Sequence, residues 1–133
     1  MRQLLIATCA TAGLVAAHNL GALGQEAETT QVLKTELQGE EGREANIVKF
    51  DVGADWETER HIHPGHVFVY ITEGSIEIDV EGKEPMTYSA GQAFYEVPDL
   101  PMVARTAGSD VGAKFIVFQV GPTGEPLMVA QPE

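Results

Sequence analysis

Beyond Gln25, no stretch of the chain keeps an apolar residue at helical spacing for three turns. Amphipathic helices that bury one stripe are therefore excluded as its building units. Short runs rich in Val, Ile, Phe and Tyr recur instead, separated by turn residues at EEG (40–42), Glu73-Gly74, EGK (81–83), SAG (89–91) and AGSD (107–110). In SIEIDV the alternation is clearest: Ile76, Ile78 and Val80 share one face, and Ser75, Glu77 and Asp79 the other. This pattern predicts strands near Val32–Leu37, Ile47–Val52, Arg60–His63, Val67–Thr72, Ile76–Val80, Met86–Tyr88, Ala93–Val97, Met102–Arg105 and Lys114–Val120. A further short strand is expected at Leu127–Ala130. Many short strands at this spacing point to a single all-β sandwich or barrel, and 133 residues suffice for one domain.

The first two dozen residues differ in kind. Met1-Arg2-Gln3 gives a short positive start, Leu4 to Ala17 is apolar and uncharged, and small residues Ala22 and Gly24 precede Gln25. That order of parts is expected of a secretory signal peptide cut before Gln25. As a membrane anchor, the run of 14 falls short of the roughly 20 apolar residues that span a bilayer. The expected organisation is a signal peptide over 1–24, a flexible lead-in over 25–31, the barrel over 32–120 and an arm over 121–133. Export to the periplasm or the extracellular space follows. Cys9 is the one cysteine and would leave with the leader, so thiol chemistry, disulfides and thiolate metal sites are excluded. A formal charge of −12 argues against nucleic acid and anionic membrane surfaces as partners.

Three of the four histidines fall within six positions, in RHIHPGHVFVYITEG (60–74). On a strand, His61 and His63 point to one face and can hold one metal ion in cis. H-x-H alone is weak evidence, but here Pro64-Gly65, an aromatic-rich strand and Glu73-Gly74 follow it. This larger arrangement, HIHPG then YITEG, resembles the first motif of the cupin family, and SAGQAFYEVPDLP resembles the second in outline. The resemblance spans about Val32 to Val120 and implies a small antiparallel jelly-roll barrel built from two sheets. It also implies a divalent metal on three histidines and one glutamate, from which this sequence departs. Val67 stands at the glutamate position, and a longer gap offers only Phe68. Gly91 matches the second motif, but Val97, Asp99, Met102 and Thr106 stand where the family carries proline, glycine, histidine and asparagine. A slide by one restores Pro98 and puts Val103 at the histidine position. No histidine occurs after His66.

Two imidazoles need further ligands to hold a divalent ion. His66 is a candidate if Pro64-Gly65 forms a bulge that turns it inward. Glu96 is a second, because it shares a strand face with Phe94. It would complete two histidines and a carboxylate, a set suited to iron(II) and oxygen chemistry; alternatively, it pairs with Arg105 or water at the rim. Met102 is a third, and its thioether would favour copper. The metal candidates are thus His61, His63, His66, Glu96 and Met102, with iron, manganese, zinc, nickel and copper undistinguished. Trp56, Phe68, Tyr70, Phe94, Tyr95 and Phe115 could line an apolar cavity for a small ligand.

The resemblance implies either a metal-dependent oxygenase, isomerase or lyase acting on a small oxygenated substrate, or a metal-poor barrel that binds a small ligand or partner. A homodimer is a further expectation, since many cupins form one.

Overall fold

The computed structural model describes residues 27–108 and 110–132, so the expected signal peptide lies outside the described residues. These residues form ten strands and no helix: β1 (Ala27–Glu36), β2 (Arg43–Val52), β3 (His61–Ile62), β4 (His66–Glu73), β5 (Ser75–Val80), β6 (Met86–Ser89), β7 (Ala93–Glu96), β8 (Met102–Thr106), β9 (Ala113–Pro122) and β10 (Val129–Ala130). They pair into two antiparallel five-stranded sheets, ordered β1-β2-β9-β4-β7 and β10-β3-β8-β5-β6. Strands adjacent in the sequence switch from one sheet to the other, as at β4 to β5, which gives the jelly-roll sandwich.

The strands form where alternation demanded them. Val67, Val69 and Ile71 of β4, Phe115 and Val117 of β9, and Ile76 and Ile78 of β5 are all buried between the sheets. Each side chain so buried contributes about 1.5–3 kcal/mol. Phe50 stacks on Phe115 at 4.9 Å and Trp56 tilts against the same ring at 5.7 Å, closing one end of the core.

Two turns depend on glycine. Gly74 joins β4 to β5 at φ 72°, and a Cβ there would stand 2.4 Å from the Gly112 carbonyl oxygen. A Cβ on Gly65 would stand 2.6 Å from Gly121 Cα, so Pro64-Gly65 is the point where the chain presses onto β9.

Two expected boundaries shift. Ala27–Gln31, expected as a flexible lead-in, are strand and pair with Val52–Val48 of β2. Their own sequence is nearly without apolar residues; the partner strand imposes the pairing, and a register shift between Gln31 and Leu33 absorbs the irregularity. The arm is also partly strand. β9 continues to Pro122, and β10 pairs Val129 with Ile62 and Ala130 with His61.

Candidate interior site

His61, His63 and Glu96 meet inside the barrel. His61 lies on β3, between Ala130 of β10 and Met102 of β8 in register, and His63 follows two residues on. Glu96 ends β7, directly opposite Val67 of β4. All three are buried, at 2%, 3% and 6% exposure. The two imidazoles stand edge to face with centroids 5.0 Å apart, and His63 Nε2 lies 3.1 Å from Glu96 Oε2.

Backbone carbonyls fix both rings. His61 Nδ1–H donates to Glu59 O at 2.8 Å, which leaves Nε2 as the lone-pair nitrogen of the neutral ring. His63 Nδ1–H donates to Leu127 O at 2.7 Å, while Glu96 accepts at Nε2. Acceptors on both nitrogens favour the imidazolium form. Burial opposes that charge at His63, but the Glu96 carboxylate and the Leu127 carbonyl outweigh it and raise the pKa above the ordinary 6.5. Burial lowers the pKa of His61; the Glu59 carbonyl partly offsets this, and the charge on His63 adds to the lowering. The surroundings thus bias the two rings in opposite directions, His61 toward the neutral form and His63 toward the imidazolium.

These groups line a small cavity whose other walls include Phe50, Trp56, Thr58, Phe94 and Phe115. Its free space for the centre of a water-sized molecule is about 30 Å³, room for one or two waters or a few ligand atoms. Trp56 lines it while fully buried, and its Nε1–H has no hydrogen-bond acceptor. Such an orphaned donor costs about 1–3 kcal/mol unless a bound species accepts from it.

The other sequence candidates fall elsewhere. His66 is not part of the site. β3 ends at Ile62 and the chain bends at Pro64-Gly65 to enter β4 of the other sheet, yet burial still alternates from His61 to Val67 and His66 points outward. There it stacks on Tyr95 and its Nδ1 lies 2.6 Å from the Tyr95 hydroxyl. Met102 is buried opposite His61, but the cavity wall shared by His61, His63 and Glu96 does not include it. Arg105 does not reach Glu96; it lies on the outer side of the second sheet, paired with Glu57 and Glu77. Phe68, Tyr70 and Tyr95 are about half exposed on the outside and line no cavity with the histidines. The Leu127 carbonyl that aims His63 left no sequence signal, because any residue carries one. Asp99 takes the left-handed φ of 60° where the resembling motif has glycine, and its N–H donates to His63 O at 2.9 Å.

The sequence matches the family described as "Cupin domain" over residues 46–118, more than half of the chain. The chain is a cupin. No curated protein matches it. Among solved structures, the cupin resembles a cupin-like protein from Thermotoga maritima at 17% identity and TM-score 0.64, over 86% of this chain and 82% of that one. It resembles the polyketide cyclase RemF from Streptomyces resistomycificus at 18% identity and TM-score 0.64, over 83% and 74%. It also resembles the DMSP lyase DddQ from Ruegeria pomeroyi at 22% identity and TM-score 0.58, over 65% of this chain but only 43% of that lyase. At these identities the likeness concerns the fold.

Cupins commonly bind a metal. As the side chains stand here, no group of three or more His, Cys, Asp or Glu among the described residues is arranged to hold an ion. Glu96 is instead turned onto His63. The donors nevertheless suit one chemically. His61 presents a lone pair at Nε2, and two cis ligands at about 2.1 Å from one ion stand about 3 Å apart, close to the 3.1 Å between His63 Nε2 and Glu96 Oε2.

Proposed function

We propose that this cupin takes one divalent metal ion on His61, His63 and Glu96 and acts as an enzyme on a small oxygenated compound after export. One observation carries the reading: Glu96 of β7 pairs in register with Val67 of β4, the position where the family's glutamate is missing. Residues opposite each other on antiparallel strands share a face. The carboxylate absent from β4 is therefore supplied one strand over, on the same inner wall.

In this reading the Glu59 and Leu127 carbonyls hold the two rings with Nε2 inward. Such outer partners fix the tautomer and make the ligand more basic. The ion takes the place of the proton that His63 shares with Glu96, so binding releases a proton and tightens as pH rises. A bound divalent ion with open positions would polarise a substrate oxygen or activate dioxygen. The apolar wall of Phe50, Phe94 and Phe115 keeps bulk water out, and the Trp56 N–H offers a donor to an oxygen of the ligand. The lyase and cyclase names among the structural neighbours support an enzymatic reading, though one fold hosts many reactions.

A second reading, a metal-poor barrel that binds a small ligand or partner, is favoured by the His63–Glu96 pair. That pair already neutralises the buried carboxylate without a metal.

Elemental analysis of the purified protein after exposure to iron, manganese, zinc, nickel and copper separates the two. The first reading expects about one equivalent of metal in the parent and none in a His61→Ala/His63→Ala variant. A parent that retains no metal sinks it and leaves the second. Export is tested by N-terminal sequencing of the protein recovered outside the cytoplasm, with Gln25 expected as the first residue.

A further inference from the structure

All but two of the residues that line the interior cavity are buried. The exceptions are Phe94 and Met128, both partly exposed and packed against the core. The cavity wall therefore reaches solvent at these two residues, and they differ in freedom. Phe94 lies on β7 in register with Val69, and its ring stacks on Tyr88 with centroids 4.3 Å apart. It moves only by giving up that stack. The Met128 side chain is unbranched and flexible, and changes shape in place.

The main chain on both sides of Met128 is held. Leu127 is buried, and its carbonyl accepts from His63 Nδ1 at 2.7 Å and from Gln119 Nε2 at 3.2 Å. Val129 and Ala130 pair in register with Ile62 and His61, and Gln131 N–H donates to Arg60 O at 2.9 Å. A movable side chain thus stands between fixed points, next to the carbonyl that aims His63.

We infer that Met128 is the gate residue of the cavity: rotation of its side chain opens and closes the way from solvent to His61, His63 and Glu96. The inference rests on the reading of this cavity as the binding site, and not on whether a metal is held there. Because the backbone stays in place, the opening is no wider than one side chain leaves. That suits compounds of a few non-hydrogen atoms, the scale of a cavity with about 30 Å³ of free space. Gate and wall are mostly apolar, the Glu96 carboxylate is buried inside, and the chain carries a formal −12. Anions are therefore disfavoured, and small uncharged compounds pass. The Leu127 carbonyl need not move when the gate does, so a ligand enters while His63 stays aimed.

Trp56, the one tryptophan of the chain, is buried in the same cavity wall, so its fluorescence reports entry. Quenching of the full chain by acrylamide, a small uncharged amide, tests the gate with no metal added. Met128→Ala should raise the quenching rate constant about threefold or more, because it removes the gate. Met128→Ile, of similar bulk but stiff about its first side-chain bond, should lower it by about the same factor. Partial unfolding cannot imitate that second change, since it raises quenching. Iodide, an anion, should quench little in every variant. Val111→Ala, at a position 64% exposed and outside the cavity wall, should change nothing. Equal acrylamide quenching in the parent and both Met128 variants overturns the inference. So does a response to Phe94→Leu with none to Met128, or iodide quenching as strong as that by acrylamide. A protein that retains no metal in elemental analysis would still show the gate, so the two readings fail separately.

Discussion

His61 and His63 stand two residues apart on one inner face, and their surroundings push their protonation in opposite directions. This sets a pH profile for the metal-free protein. The folded pKa of His63 is raised, so its contribution to stability is full below 6.5 and is lost as pH climbs through the raised value. That of His61 is lowered, so its contribution is present above 6.5 and is lost as pH falls toward the lowered value. Melting temperature across about pH 5 to 9 should therefore peak near the ordinary histidine range. His63→Gln should flatten the alkaline limb and His61→Gln the acid limb; unchanged limbs would mean the rings are not held as described. The proposed transfer of the carboxylate across strands has its own test. Glu96→Val should lower metal affinity about a hundredfold or more, and Glu96→Val with Val67→Glu should recover most of it, as followed by calorimetric titration. A swap that recovers nothing would leave Glu96 as the partner of His63 and no more. Much of this site was legible. Strand parity alone put His61 and His63 on one face and Glu96 with Phe94; the expectations of an inward His66 and of Phe68 and Tyr70 at the cavity set that parity aside, and all three side chains point outward. What hid was the cross-strand register of Val67 and Glu96, because pairing between distant strands leaves no mark in either segment. The Leu127 carbonyl hid for the simpler reason that main chain is the same everywhere.

The strand boundaries were legible where burial enforces alternation, as in β5 and β4, and failed where it does not. β1 is nearly all exposed, so its first five residues follow β2 and not any pattern of their own. The corner between β4 and β5 is the opposite case, where sequence and geometry agree on one residue. Gly74 combines a left-handed φ with the Gly112 carbonyl oxygen 2.4 Å from where a Cβ would stand. Gly74→Ala should cost about 2–4 kcal/mol in chemical denaturation, strain and displaced backbone together. Gly82→Ala also sits at a positive φ but meets nothing within 4 Å, so it should cost clearly less. Equal losses at the two glycines would mean that φ alone, and not the close approach, makes Gly74 necessary.

For the molecule as a whole, twenty acidic residues against eight basic ones mean that folding brings like charges together. Pairs such as Arg105 with Glu57 and Glu77 are partly exposed and offset little of that. Melting temperature should therefore rise by a few degrees as sodium chloride goes from about 0.01 to 0.5 M. A fall would show that local ion pairs outweigh the net repulsion. The way Leu127 holds His63 also makes the interior site depend on the last stretch of the described chain. A chain cut just before Leu127 keeps β1 to β9, so both sheets retain their main strands. Its His63 ring, however, has no carbonyl to aim it. Such a truncation would leave a folded shell with an idle imidazole inside, and fold and site could then be lost separately.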